Sequence, residues 1–324
     1  MKKVAVIGLG SIATRHRRNL KKLFPNVTLY TMSASGRVSD DEVSDSDEFV
    51  TSLDALIKVN PEMVVVASPA TFHMAHAMPL IKAGIPILIE KPVTADVQDS
   101  ECLQNVIKQN VTPVAVGYCL RYLSSSQEMK VLIEQGFLGE IYNVFIQVGQ
   151  YLPDWRPDKD YRDSVSANRY LGGGALLELS HELDYAQWLL GELSVEHSIL
   201  RSSNTLGLEV EDMVDVMLTS AQGIVCNIHL DFLQRSVQRT CSLIGEKGRL
   251  EWDLIKNTIT FYHRKGNDVL YSEPAWDKNN MYIAMLHDFK AMIERKKHHC
   301  IEFEEAEKTI QLIESIKAKA SWSN

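Results

Sequence analysis

The chain has 324 residues, 45% of them hydrophobic and 23% charged, with a formal net charge of −8 at pH 7. That length and apolar content suffice for about two domains with cores of their own. The negative balance excludes a general attraction to nucleic acid or to anionic membrane, so an anionic cofactor must be held by local features.

The first third alternates short apolar runs with amphipathic stretches. Strands are predicted at 4–7, 27–30, 63–67, 85–89 and 114–116, and helices at 14–23, 53–59, 72–83 and 97–109. This alternation is the pattern of βαβ units around a parallel sheet. Residues 39–48 are almost all serines and acids and are expected to form a solvated loop. After Tyr118 the pattern changes to strands joined by turns, at 141–148, 214–219, 224–232, 239–244 and 258–262, with helices at 176–190, 282–294 and 303–320. The expected fold is α/β: a Rossmann doubly wound parallel sheet over 1–120, then an α+β domain over 121–324 with a largely antiparallel, open-faced sheet. The last helix is one that could pack back on the first domain.

The five cysteines, Cys102, Cys119, Cys226, Cys241 and Cys300, are scattered and include no CxxC, so they read as reduced, mostly buried thiols. His298-His299-Cys300 lacks further ligands at zinc spacing, and no metal is expected. Lys2-Lys3 before the apolar run 4–7 faintly imitates a signal peptide, but Gly8 and Gly10 cut it short. No later stretch is apolar for long enough to span a bilayer, and a cytoplasmic location is the expectation.

Gly8-Leu9-Gly10-Ser11-Ile12-Ala13 follows a predicted strand and opens a predicted helix, matching G-x-G-x-x-G/A. Gly8 allows the tight turn, Gly10 lets the backbone approach a pyrophosphate, and the N–H groups around Ser11 and Ile12 supply a positive field. An NAD enzyme usually places an acid about 20 residues on. Residues 29–37 contain none; Thr31, Ser33, Ser35 and Arg37 suit a 2′-phosphate better, which favours NADP, while Arg37 also reads as a solvated loop residue.

Two segments carry candidate chemistry. Ser68-Pro69 and Glu90-Lys91-Pro92 end predicted strands, where ligands of open α/β sheets sit. Further on, Gly172-Gly173-Gly174 precedes a predicted helix on which Glu178, His181 and Asp184 recur at i, i+3, i+6, sharing roughly one face. Each also has a bland reading, as a surface ion pair at Glu90-Lys91 and as a structural histidine at His181.

With these residues the sequence resembles the glucose-fructose oxidoreductase and inositol dehydrogenase (Gfo/Idh/MocA) family over nearly its whole length. The resemblance rests on Gly8-Leu9-Gly10, Ser68-Pro69 with His73 downstream, Ala83-Gly84 leading into Glu90-Lys91-Pro92, Gly117-Tyr118 with Arg121-Tyr122, Gly139-Glu140-Ile141, and the triple glycine before His181 and Asp184. It implies that Lys91 and His181 are catalytic. The family's acid stands four residues before the histidine; that position here is Leu177, and Glu178, three before, is the substitute.

The implied reaction is hydride transfer between nicotinamide and a carbinol carbon, with His181 as general base, Lys91 stabilising charge on the oxygen, and Glu178 or Asp184 orienting the imidazole. Lys91 and His181 are expected to converge on the nicotinamide. Gly8, Gly10, Ser11, Ile12, Ser33, Arg37, Ser68, Pro69, His73, Glu90, Lys91 and Arg121 are the expected cofactor residues. Trp155, Arg156 and Tyr161, in a segment rich in aromatic and arginine side chains, join Asp184 as substrate residues for a sugar, sugar nucleotide or cyclitol. A homo-oligomer, dimer or tetramer, is also implied. The alternatives are a non-catalytic NAD(P)-binding sensor and a reductase of C=N or C=C bonds on the same fold.

Overall fold

The computed structural model describes residues 1–37 and 42–323. Residues 39–41 of the expected acidic loop lie outside the described residues.

The chain begins with β1 (Lys3–Ile7), α1 (Ser11–Leu23), β2 (Thr28–Met32), β3 (Glu48–Val50), α2 (Leu53–Val59), β4 (Val64–Val66), α3 (His73–Lys82), β5 (Ile87–Ile89), α4 (Val97–Lys108) and β6 (Val114–Val116). The strands pair in parallel in the order β6-β5-β4-β1-β2-β3. β4, β5 and β6 are buried throughout, as expected of strands covered on both faces, and this is why they read as continuous apolar runs. From β1 the chain moves to β2 on one side and later returns to β4 on the other. That reversal opens a crevice at the carboxyl ends of β1 and β4, where such sheets bind ligands.

Then follow α5 (Ser124–Glu134), β7 (Ile141–Gly149), short 3₁₀ turns between Leu152 and Leu171, α6 (Ala175–Glu178), α7 (His181–Leu190), β8 (Leu193–Arg201), β9 (Met213–Ser220), β10 (Val225–Asp231), β11 (Gln238–Gly245), β12 (Gly248–Asp253), β13 (Thr258–His263), β14 (Gly266–Ser272), α8 (Asn279–Ile293), β15 (Ile301–Glu302), α9 (Phe303–Lys319) and β16 (Ala320–Ser323). The second sheet runs β14-β13-β12-β11-β7-β10-β9-β8-β16, antiparallel except where β7 meets β10 and β8 meets β16. Along β7, Val144, Ile146 and Val148 are buried and Phe145 is exposed, the alternation of a sheet with one covered face. On the covered side the Trp252 indole donates to Ser125 Oγ at 2.8 Å and meets the Tyr185 ring edge-on.

Two compact units result. The first comprises Met1–Cys119 and Asn279–Ile310, and the second Leu120–Lys278 and the residues from Gln311 onward. β15 adds antiparallel to β6 and closes that edge of the first sheet. Among the described residues, no helix is long and apolar enough to cross a membrane.

The helix predicted over 176–190 is two helices. Backbone bonds tighten to a three-residue span at Ser180 N–H to Leu177 O and Glu182 N–H to Leu179 O, and Leu179 leaves helical geometry at φ −97° and ψ 25°. Glu178 therefore ends α6 while His181 begins α7, and Glu178, His181 and Asp184 do not share one continuous helical face.

Candidate functional site

In the first unit the glycine turn sits where β1 gives way to α1. Gly8 has φ +124°, a region side chains avoid, and a Cβ there would run into the Ala67 carbonyl. Around Gly10 a Cβ would meet nothing within 4 Å, so the turn is open above it. Gly10 caps α1 without a side-chain hydrogen bond, and no acid stands in the first turn. The N–H groups at Ser11, Ile12 and Ala13 form the positive helix end, with no acid in that turn to offset it. Ala13 is fully buried, and its smallness lets α1 pack against the turn. A diphosphate fits this open backbone cradle.

A buried cation lies beneath it. Arg17 donates from Nη1 to Gly8 O at 3.2 Å, from Nη2 to Thr14 Oγ1 at 2.9 Å and from Nε to Ser44 O at 2.8 Å. Burial pulls its pKa down from the usual guanidinium value, and Asp45 opposes that shift.

Past β2, Arg37 Nε donates to Ser35 Oγ at 3.0 Å, and Ser35 Oγ lies 3.3 Å from Ser33 Oγ. His76, on α3, has its Nδ1 2.9 Å from Ser68 Oγ, past the tip of β4. Burial, with the nearby His73, drives the His76 pKa to about 4, so the ring is neutral at physiological pH.

At the tips of β4 and β5 two imidazoles brace the backbone. His73 is buried between Ser68 O, 2.8 Å from Nε2, and Pro92 O and Val93 O, 3.0 and 3.2 Å from Nδ1. It ties Ser68-Pro69 to the segment following Lys91, whose peptide bond to Pro92 is cis. His16 Nε2 lies 2.6 Å from Glu90 Oε1, and Glu90 Oε2 accepts the Lys91 N–H at 3.1 Å. Burial would raise the Glu90 carboxyl, but the His16 hydrogen bond and the charges of His16 and Lys91 hold it below its ordinary value. Glu90 is thus an anion beside Lys91, which is half-buried.

In the second unit His181 opens α7 and is 9% exposed. Two of the acids around it are held in forked pairs. Asp184 accepts from Arg121 Nε at 2.9 Å and Nη2 at 2.7 Å, and Glu182 from Arg239 Nε at 2.7 Å and Nη2 at 2.9 Å. Arg121 and Asp184, expected at cofactor and substrate respectively, are partners of one another. Glu178 is half-buried at the end of α6. The turn before α6 is set by Glu211: its Oε1 accepts the Leu176 N–H at 3.0 Å, and its carboxylate occupies the space a Cβ at Gly174 would need. Burial raises the Glu211 pKa despite that hydrogen bond.

Trp155, Arg156 and Tyr161 line one cavity of about 420 Å³, together with Lys159, Asp160 and Asp163. The Trp155 indole donates to Gln150 O at 3.3 Å and the Tyr161 hydroxyl to Leu206 O at 2.9 Å, so both rings are fixed as walls.

Sequence reasoning missed His16, Arg17, His76, Glu211 and Arg239. For His16 and Arg17 the local sequence offers only the run Arg15-His16-Arg17-Arg18 after the glycine turn, which by composition suits a solvated face equally well.

The parallel sheet with its open glycine turn defines a dinucleotide-binding unit, and the second sheet is the partner unit of a two-part oxidoreductase. Residues 2–118 match the family described as "Oxidoreductase family, NAD-binding Rossmann fold", and residues 126–251 match the GFO/IDH/MocA C-terminal domain. The chain belongs to the GFO/IDH/MocA oxidoreductase family. It is 29% identical over 226 residues to an uncharacterized oxidoreductase of Synechocystis sp., a match taking in 64% of this chain and 60% of that one. It is 25% identical over 270 residues to inositol 2-dehydrogenase 1 of Saccharopolyspora erythraea, covering 79% of this chain and 75% of that one. Among solved structures, levoglucosan dehydrogenase in complex with NADH and levoglucosan superimposes with a TM-score of 0.84 at 20% identity, covering 98% and 96% of the two chains. That likeness is one of fold.

Proposed function

We propose that this protein is an NAD(P)-dependent dehydrogenase acting on a CH–OH group of a sugar, sugar nucleotide or cyclitol. The observation that carries the reading is the turn at Gly8 and Gly10, open above and followed by a helix N-terminus with no acid in its first turn. The turn and the α1 N-terminus hold the pyrophosphate, and Ser68 and Pro69 line the nicotinamide end. When bound, the nicotinamide accepts or returns a hydride at a carbinol carbon. His181 takes the proton of the substrate hydroxyl, being the side-chain type whose titration lies nearest neutrality. Lys91 stabilises charge developing on that oxygen. Glu178, three residues before His181 at the end of α6, stands in for the family acid.

The cavity walled by Trp155 and Tyr161, with Arg156 at its rim, suits a sugar ring bearing an anionic or hydroxyl substituent. The Ser33–Ser35–Arg37 array, with no carboxylate among 29–37, supports NADP over NAD. The exposed face of the second sheet carries Phe145, Asn227 and Met217 in one cross-strand row and Gln147, His229 and Asp215 in the next, a surface suited to a second copy of the chain.

Fluorescence titration with NADPH and NADH tests the cofactor, the expected result being tighter NADPH binding. Turnover on a panel of sugars, cyclitols and sugar nucleotides, repeated with His181→Ala, tests the chemistry. Loss of at least a hundredfold in kcat is expected; activity on an imine or enone that survives His181→Ala would favour the C=N or C=C reading instead.

A further inference from the structure

The nucleotide turn and the Lys91 segment are joined by a buried hydrogen-bonded chain that neither the glycine motif nor Glu90-Lys91-Pro92 accounts for. His16 is fully buried on α1, six residues past Gly10. Its Nε2 meets Glu90 Oε1 at 2.6 Å, a short, direct contact between ring and carboxylate. With a ring hydrogen on Nε2 the imidazole donates to an ionised carboxylate, while Nδ1 has no hydrogen-bond partner among the described residues. The other Glu90 oxygen accepts the backbone N–H of Lys91. Gly117 lies against this carboxylate, and a Cβ there would stand 3.1 Å from it, so the pair is enclosed. On the far side the His16 ring meets Tyr282 of α8 edge-on at 6.0 Å, with Arg15 over the same tyrosine.

A carboxylate that only needed neutralising would be served by Lys91 alone. The fixed imidazole adds direction: it holds one carboxylate oxygen to α1, so that the other sets the height of the Lys91 peptide. We propose that His16, acting through Glu90, is a positioning residue for Lys91, registering the amine against the helix whose N-terminus receives the cofactor phosphates. The inference rests on the reading of Lys91 as a catalytic group.

The test compares wild type, His16→Leu and His16→Gln in the full-length protein with saturating NADP+, the hydride acceptor that alcohol oxidation requires. Amide hydrogen exchange over residues 89–94 is followed beside steady-state kinetics on the best substrate of the panel. His16→Leu should speed exchange at 89–94 at least tenfold and lower kcat at least tenfold, with KM and the NADPH dissociation constant held within twofold. His16→Gln, whose amide can donate to Glu90, should recover most of both. Should His16→Leu not fold, His16→Asn, too short to reach Oε1, replaces it. Unchanged exchange at 89–94, or a kcat loss matched by equal loss of NADPH affinity, overturns the proposal. If wild type turns over no alcohol on the panel, the assigned reaction fails separately, and the exchange result still decides whether His16 sets the Lys91 backbone.

Discussion

Arg17 Nη1 donates to the carbonyl oxygen of Gly8 at 3.2 Å, from a side chain 2% exposed. The guanidinium braces the turn from below, and its charge adds to the field of the α1 N-terminus. Arg17→Met should weaken NADPH binding about tenfold and lower stability by about 1.5–3 kcal/mol, the usual worth of hydrogen bonds to a charged group. Arg17→Lys should recover little, because one ammonium cannot reproduce a fork reaching three acceptors. Fluorescence titration and urea unfolding measure the two effects.

The two glycines of the turn should separate fold from binding. Gly8→Ala places a methyl group against the Ala67 carbonyl at a backbone angle alanine avoids, so both the melting temperature and NADPH affinity should fall. Gly10→Ala meets no protein atom and has ordinary backbone angles. Its melting temperature should match wild type while NADPH affinity drops at least tenfold. Equal NADPH affinity in Gly10→Ala and wild type would remove the pyrophosphate from this turn.

The buried Arg121–Asp184 fork should behave as a strut holding α7. Removing one partner leaves an uncompensated charge, so Arg121→Met or Asp184→Leu should each cost about 3–5 kcal/mol. The double variant should be closer to wild type than either single variant, as two apolar groups replace the pair. A double-mutant cycle by chemical denaturation reads this directly.

His229 sits between Asp231 and Asp215, with Nε2 at 3.0 Å from one and Nδ1 at 2.7 Å from the other. The hydrogen bond to Asp231, joined by that to Asp215 and opposed by burial, pushes its pKa up to about 9. A pKa raised on folding gives stability that is full below the unfolded value near 6.5 and is lost as pH rises through about 9. Wild type should therefore lose on the order of 1 kcal/mol between pH 7 and 10 that His229→Asn does not lose, a modest figure because solvent screens the half-exposed Asp215. Urea midpoints across that range check the sign.

Which features the sequence made legible follows from how local their causes are. The glycine turn and the βαβ train could be read because glycine content and strand periodicity are properties of neighbouring residues. His16 and Arg17 could not: their partners, Glu90, Gly8 and Ser44, meet them only through packing, so the cationic stretch 15–18 shows nothing of its burial. The break at Leu179 and Ser180 escaped because both halves keep apolar residues at helical spacing across it. The pairing of Arg121 with Asp184 was not legible, since a buried fork and an open one have the same composition. Strand β8 was missed outright, although Leu193, Val195 and Leu200 are buried, because the spacing of its apolar residues shifts at an irregularity between Val195 and His197.

β15 consists of two residues, Ile301 and Glu302, yet it covers the one flank of the first sheet that β6 would leave bare. The nucleotide-binding body is therefore written in two separated stretches of chain. A fragment cut after Cys119 would expose the unpaired amides and carbonyls of Val114–Val116 as a template for foreign strands. Such a fragment should precipitate, and grafting this cofactor module onto another scaffold requires carrying the segment Asn279–Ile310 along with it.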